Sequence, residues 1–203
     1  MEARVDVLGL EDIIPLEEFA GKRREFASAH RRYLDRYRRV RLGPSLTLVF
    51  ENRQTLWYRV QEVLRLARVA EPQLVKQELD LYNRLLPGRD RLQAALLIAV
   101  DETRLGEDLA FWRDLRGDQL ALRLGPASYP ANLLTCRPED RSIGAAHWVQ
   151  FVLDPDGRRL LTAPSSQALL RIDMPAYAHD SGPLGEEVRR SLGEDLTVSR
   201  HAG

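Results

Sequence analysis

The tightest constraint on this fold is a helical pattern that occurs twice between Asn52 and Leu86. Leu56, Val60, Val63, Leu64 and Ala67 fall on one face of a 3.6-residue period, with Asn52 at the N-cap position. Ala70-Glu71-Pro72 interrupts the pattern and places a proline at the start of a second helix. Leu74, Val75, Leu79, Tyr82 and Leu86 are predicted as its buried side, and Pro87-Gly88 stop it. A connection this short predicts a helical hairpin.

Upstream, Leu16, Phe19, Phe26, His30, Tyr33 and Tyr37 keep helical spacing, so a first helix is expected from Leu16 to about Tyr37. It follows an extended lead-in over residues 1–15 and precedes a break at Gly43-Pro44 and a short strand, Leu46 to Phe50. The texture changes after residue 91. Leu92 to Val100, Gln119 to Leu124, His147 to Leu153, Arg159 to Thr162 and Ala168 to Asp173 read as strands. Glu102 to Leu115 reads as a helix with Leu105, Leu109 and Trp112 inward, and Glu186 to Leu196 as a closing helix before a frayed end. Residues 125–142 read as irregular and Asp154-Pro155-Asp156-Gly157 as a turn. The expected class is α+β: N-terminal helices and a helical hairpin packed on a small antiparallel sheet. One domain over 1–203 is expected, with a helical half (about 1–90) and a sheet-rich half (about 91–203).

Composition narrows the chemistry. Thirty Lys+Arg balance thirty Asp+Glu, which disfavours a protein that coats nucleic acid through uniform basicity. Only Lys22 and Lys76 are lysines, so a Schiff-base mechanism has two candidates. Cys136 is the single cysteine, which excludes an internal disulfide, an all-cysteine zinc site and a Cys-x-x-Cys pair. Beside Arg137 it reads as an inert loop thiol or, alternatively, a reactive one. The opening residues lack a basic stretch followed by an apolar run, and no segment approaches membrane-helix length. A cytoplasmic protein without membrane contact is expected. Phosphate-binding glycine loops, a Gly-x-Ser-x-Gly elbow and His-Glu-x-x-His are all missing, so no cofactor is expected.

Three constellations remain. Glu51, Arg53, Gln61, Glu62, Arg65, Glu78, Tyr82 and Asn83 lie along the hairpin, where converging carboxylates would hold a divalent metal or divide acid and base roles. The alternative is a satisfied ion-pair network, with Arg53 and Arg65 as natural mates for Glu51 and Glu62. Asp173, Tyr177, His179 and Asp180, joined by His147, would supply oxygen and imidazole ligands to a divalent ion, or simply form a polar loop. Nine Lys/Arg between Lys22 and Arg41 would make a basic helix able to meet phosphates, or a solvated and internally paired face.

Leu42-Gly43-Pro44, Phe50-Glu51-Asn52-Arg53-Gln54-Thr55, Gln61-Glu62-Val63-Leu64-Arg65, Glu78 to Pro87 and Pro175-Ala176-Tyr177 together resemble an uncharacterised bacterial domain family. The resemblance spans nearly the whole chain. It implies an accessory role beside rubrerythrin-like and iron–sulfur oxidoreductases, in a redox or peroxide-defence system, and brings no catalytic residues with it. Family members carry a histidine before the Pro-x-Tyr string where this chain has Met174, which weakens the metal reading there. The expected function is therefore a binding or accessory protein with a redox protein as partner. A small metal- or ligand-dependent enzyme and a nucleic-acid binder are the alternatives.

Overall fold

A computed structural model describes residues 7–134 and 146–197. Helix α1 (Leu16–Tyr37) starts directly after Pro15 and is followed by strands β1 (Arg39–Leu42) and β2 (Leu46–Phe50). The hairpin is α2 (Arg53–Ala67) and α3 (Pro72–Asn83). Asn52 caps α2 by accepting from the Thr55 amide, and Pro72 opens α3, as the pattern predicts. Leu74 differs: it is exposed while Val75 and Leu79 are buried, because the inward face of α3 is narrower than the apolar count implies.

Strand β3 (Arg91–Ile98) leads to a 3-10 turn at Glu102–Arg104 and α4 (Leu105–Trp112), on which Trp112 is buried and Leu105 exposed. Strands β4 (Leu120–Leu124), β5 (Ala127–Leu133) and β6 (Ala146–Val152) follow. Next come α5 (Pro155–Thr162), β7 (Ala168–Met174), β8 (Tyr177–Asp180) and α6 (Glu186–Asp195). Cys136 and the expected frayed end after residue 197 lie outside the described residues.

The fold is α+β, with an antiparallel sheet larger than expected: eight strands in the order β1-β2-β3-β6-β5-β4-β7-β8. Every neighbouring pair is antiparallel. The sheet crosses the expected division near residue 90, because β2 pairs with β3 in the register Phe50↔Ala94 to Leu46↔Ile98. All eight strands feed one core, for example through Leu42, Leu48, Leu96, Val149, Ala131, Leu122, Ile172 and Tyr177. One interior shared by every strand means that the sheet curls nearly into a barrel. The first and last strands meet at Tyr177. Its hydroxyl donates to the Leu42 carbonyl at 2.8 Å and accepts from the Ser45 amide at 2.9 Å. Gly43 makes this approach feasible: its φ is +70°, and a Cβ there would lie 2.6 Å from the Tyr177 oxygen and the His179 ring. A second core, including Leu8, Leu56, Val60, Leu64, Val75 and Leu79, joins the hairpin to the N-terminal segment.

Three expectations are corrected. The basic helix ends at Tyr37, so Arg39 and Arg41 belong to β1. Residues 127–133, expected to be irregular, form β5. Asp154 to Thr162 is neither turn nor strand: Asp154 caps α5 by accepting from the Gly157 amide at 2.7 Å, with Pro155 in the first turn.

Candidate functional site

The hairpin candidates divide into a buried group and a surface group. Glu51 sits between β2 and α2 with only 1% of its surface exposed. The Arg59 guanidinium pairs with its carboxylate at 2.6 Å, and the Thr55 hydroxyl donates to the other oxygen. Arg59, not Arg53, is thus its mate. Thr55 and Arg59 are one helical turn apart, so both face back toward the residue that precedes the helix. The spacing of Glu51, Thr55 and Arg59 at intervals of four is the sequence signal for this pairing. Arg59 also lies 5.2 Å over the Trp148 ring from β6, a cation–π contact that ties the helical layer to the sheet.

Around this pair stand groups that α1 and α3 supply. Tyr82 is half-buried; burial raises its phenol, Arg59 offsets part of that, and the Glu78 and Glu51 charges push it further up. Glu78 makes no ion pair among the described residues. His30 of α1 stacks on Tyr58 of α2 at 4.1 Å. Burial and the positive charges of Arg59 and Arg39 push its imidazole down to about 4, so it is neutral at pH 7. Gln61 of α2 is fully buried, with neither amide atom hydrogen-bonded among the described residues.

Glu62 belongs to a separate, partly exposed network. Arg23 donates to it at 2.8 Å and Arg65 at 2.9 Å, with Tyr58 at 3.3 Å. Burial would raise its carboxyl, but the two arginines outweigh that and hold it below the usual range. Arg53 reaches Asp12 at 2.6 Å and helps anchor the N-terminal segment. Asn83 does the same through paired bonds to the Leu8 amide and carbonyl, at 2.9 and 3.0 Å. The eight candidates therefore do not form one constellation.

The C-terminal candidates are separated by strand alternation. Tyr177 and His179 point to one face, where their rings meet at 4.4 Å; Asp180, across from Arg171, points to the other. Asp173 and Asp180 flank the Arg171 guanidinium at 3.8 and 3.5 Å. His147 is buried on β6 opposite Leu96. Among the described residues, no three His, Cys, Asp or Glu side chains are grouped to hold a metal ion. No described helix is long and apolar enough to cross a membrane.

Most of the basic run is internally neutralised. Lys22 pairs with Glu18, Arg23 with Glu62, Arg36 with Glu187, Arg38 with Asp195 and Arg39 with Asp35. A different kind of surface lies between the N-terminal segment and the α2–α3 turn. There Leu10, Ile13, Leu16, Val69, Pro72 and Val75 line a groove of about 250 Å³.

These features define an α+β protein with a nearly closed antiparallel sheet and a polar seam between that sheet and a helical hairpin. The chain belongs to the family described as "Protein of unknown function (DUF3501)", whose model matches residues 8–196. It is also similar to a solved structure, a novel protein of unknown function from Burkholderia pseudomallei K96243. The two are 27% identical with a TM-score of 0.85, covering 94% of this chain and 100% of the other. None of the curated proteins matches.

Proposed function

We propose that this chain is a non-catalytic accessory protein that works by contact with another protein. One contrast carries the reading. The carboxylates best placed for chemistry, Glu51 and Glu62, have their oxygens taken up by Arg59, Thr55, Arg23 and Arg65, while no described residue covers the apolar groove beside the hairpin. A general base or metal ligand needs a free lone pair, whereas a docking surface needs uncovered apolar area. The resemblance to a family encoded beside oxidoreductases supports a partner within a redox or peroxide-defence system. A metal- or ligand-dependent enzyme built on Glu51, Glu62 and Glu78 would first have to release Glu51 from Arg59. Nucleic-acid binding through α1 would rest on the few arginines without an ion pair among the described residues, such as Arg24 and Arg31.

Glu51→Gln tests the assignment. Glu51 is buried but Arg59 is 29% exposed, so neutralising Glu51 should cost about 1–2 kcal/mol of unfolding free energy, less than for a fully buried pair because water still reaches the arginine. The metal content of the purified protein should be unaffected. A stoichiometric divalent ion that disappears in the variant, at unchanged melting temperature, would replace the accessory reading with the metal-dependent one.

A further inference from the structure

We infer that the groove between the N-terminal segment and the α2–α3 turn receives a basic, amphipathic segment of the partner protein. This rests on the accessory reading and adds the chemistry of the partner. The groove is lined by Leu10, Ile13, Leu16, Val69, Pro72 and Val75, together with apolar neighbours. No charged or polar side chain enters the lining. At about 250 Å³ it is smaller than the ~300–1,000 Å³ typical of small-molecule pockets, and it lacks the polar groups that orient a metabolite. It suits one or two apolar side chains of a docked helix or extended peptide. Leu10 remains 45% exposed at its mouth.

The residues next to the lining in sequence supply the charge preference. Glu11, Glu17 and Glu71 are each adjacent in sequence to lining residues, each exposed, and none forms an ion pair among the described residues. The other acid of this region, Asp12, is held by Arg53, and Lys76 by Asp80. Among the described residues, Arg68 is the single cation next to the lining in sequence without an acidic mate, leaving three carboxylates against one guanidinium. Such a local excess of negative charge repels anionic lipid headgroups and nucleic-acid phosphates. It attracts lysines and arginines flanking an apolar anchor. The area is small, so the contact is a transient one.

Selection of displayed random 12-residue peptides against the full chain tests this. The enriched peptides should carry apolar residues spaced three or four apart with flanking Lys or Arg. Leu10→Asp, a change at an exposed position, should abolish their binding at unchanged melting temperature. Glu17→Lys combined with Glu71→Lys should weaken them about tenfold. Enriched peptides that depend on Leu10 but are acidic or uncharged would overturn the charge preference while leaving protein docking intact. Peptides indifferent to Leu10→Asp, or no enrichment, would overturn both. Leu10-dependent co-sedimentation with phosphatidylserine vesicles, or Leu10-dependent self-association in the ultracentrifuge, would assign the groove to a membrane or to a second copy and overturn the inference.

Discussion

Gln61 sits fully buried with its amide nitrogen and oxygen both unbonded among the described residues. Each such buried group costs about 1–3 kcal/mol relative to a paired one. Gln61→Met, close in volume and free of that penalty, should therefore raise stability by about 1–2 kcal/mol. The reading is a higher urea midpoint at constant m-value, and an unchanged or lower midpoint would mean that the amide is satisfied by something such as buried water. At this scale the sequence exposed only local relations. Glu62 and Arg65 are three apart on one helix and pair as expected. The partners that Asn83 and Glu62 find are not local: Asn83 bonds to Leu8, 75 positions away, and Arg23 reaches Glu62 across 39.

The helices were legible because each announces itself by period, cap and stop, as in Asn52 before α2 and Pro72 opening α3. The strands that escaped notice are those whose signal competes with another. Arg39–Leu42 continues the basic character of α1. Ala127–Leu133 contains Pro130, which argues against a central strand. The pairing explains its tolerance: β5 pairs with β4 through Ala127–Pro130 and with β6 through Ala131–Leu133, so the proline lies where the ladder changes sides. In α5, Asp154-Pro155 serves a helix start as well as a turn, and local sequence does not separate the two. The β1–β2 turn offers a test. Gly43→Ala meets both a positive φ and the Tyr177 and His179 side chains, and should destabilise the protein by about 2–3 kcal/mol. If Gly43→Ala unfolds at the wild-type denaturant concentration, Tyr177 does not hold the sheet ends at this point.

Across the whole molecule, one buried ion pair ties the end of α1 to α6. Arg38, just after α1, is 2% exposed and pairs with Asp195 of α6, while Tyr33 accepts from Arg38 at 3.2 Å and from Asn52 at 2.8 Å. Burial lifts the Asp195 carboxyl to about 6 against the opposing pull of Arg38. The partners are 157 residues apart, and nothing in local sequence marks them. Arg38→Ala strands a carboxylate in the interior and should cost about 3–5 kcal/mol in urea unfolding. Arg38→Met with Asp195→Leu should recover most of that loss; failure to recover would show that the pair does more than neutralise itself. The Tyr177 bridge bears on misassembly. The two outermost strands are four residues long and are brought side by side by a phenol, with Arg39, Arg41 and Asp180 along them. Strands so brief and so charged are poor templates for an incoming chain to extend, which protects the protein against fibril-like stacking.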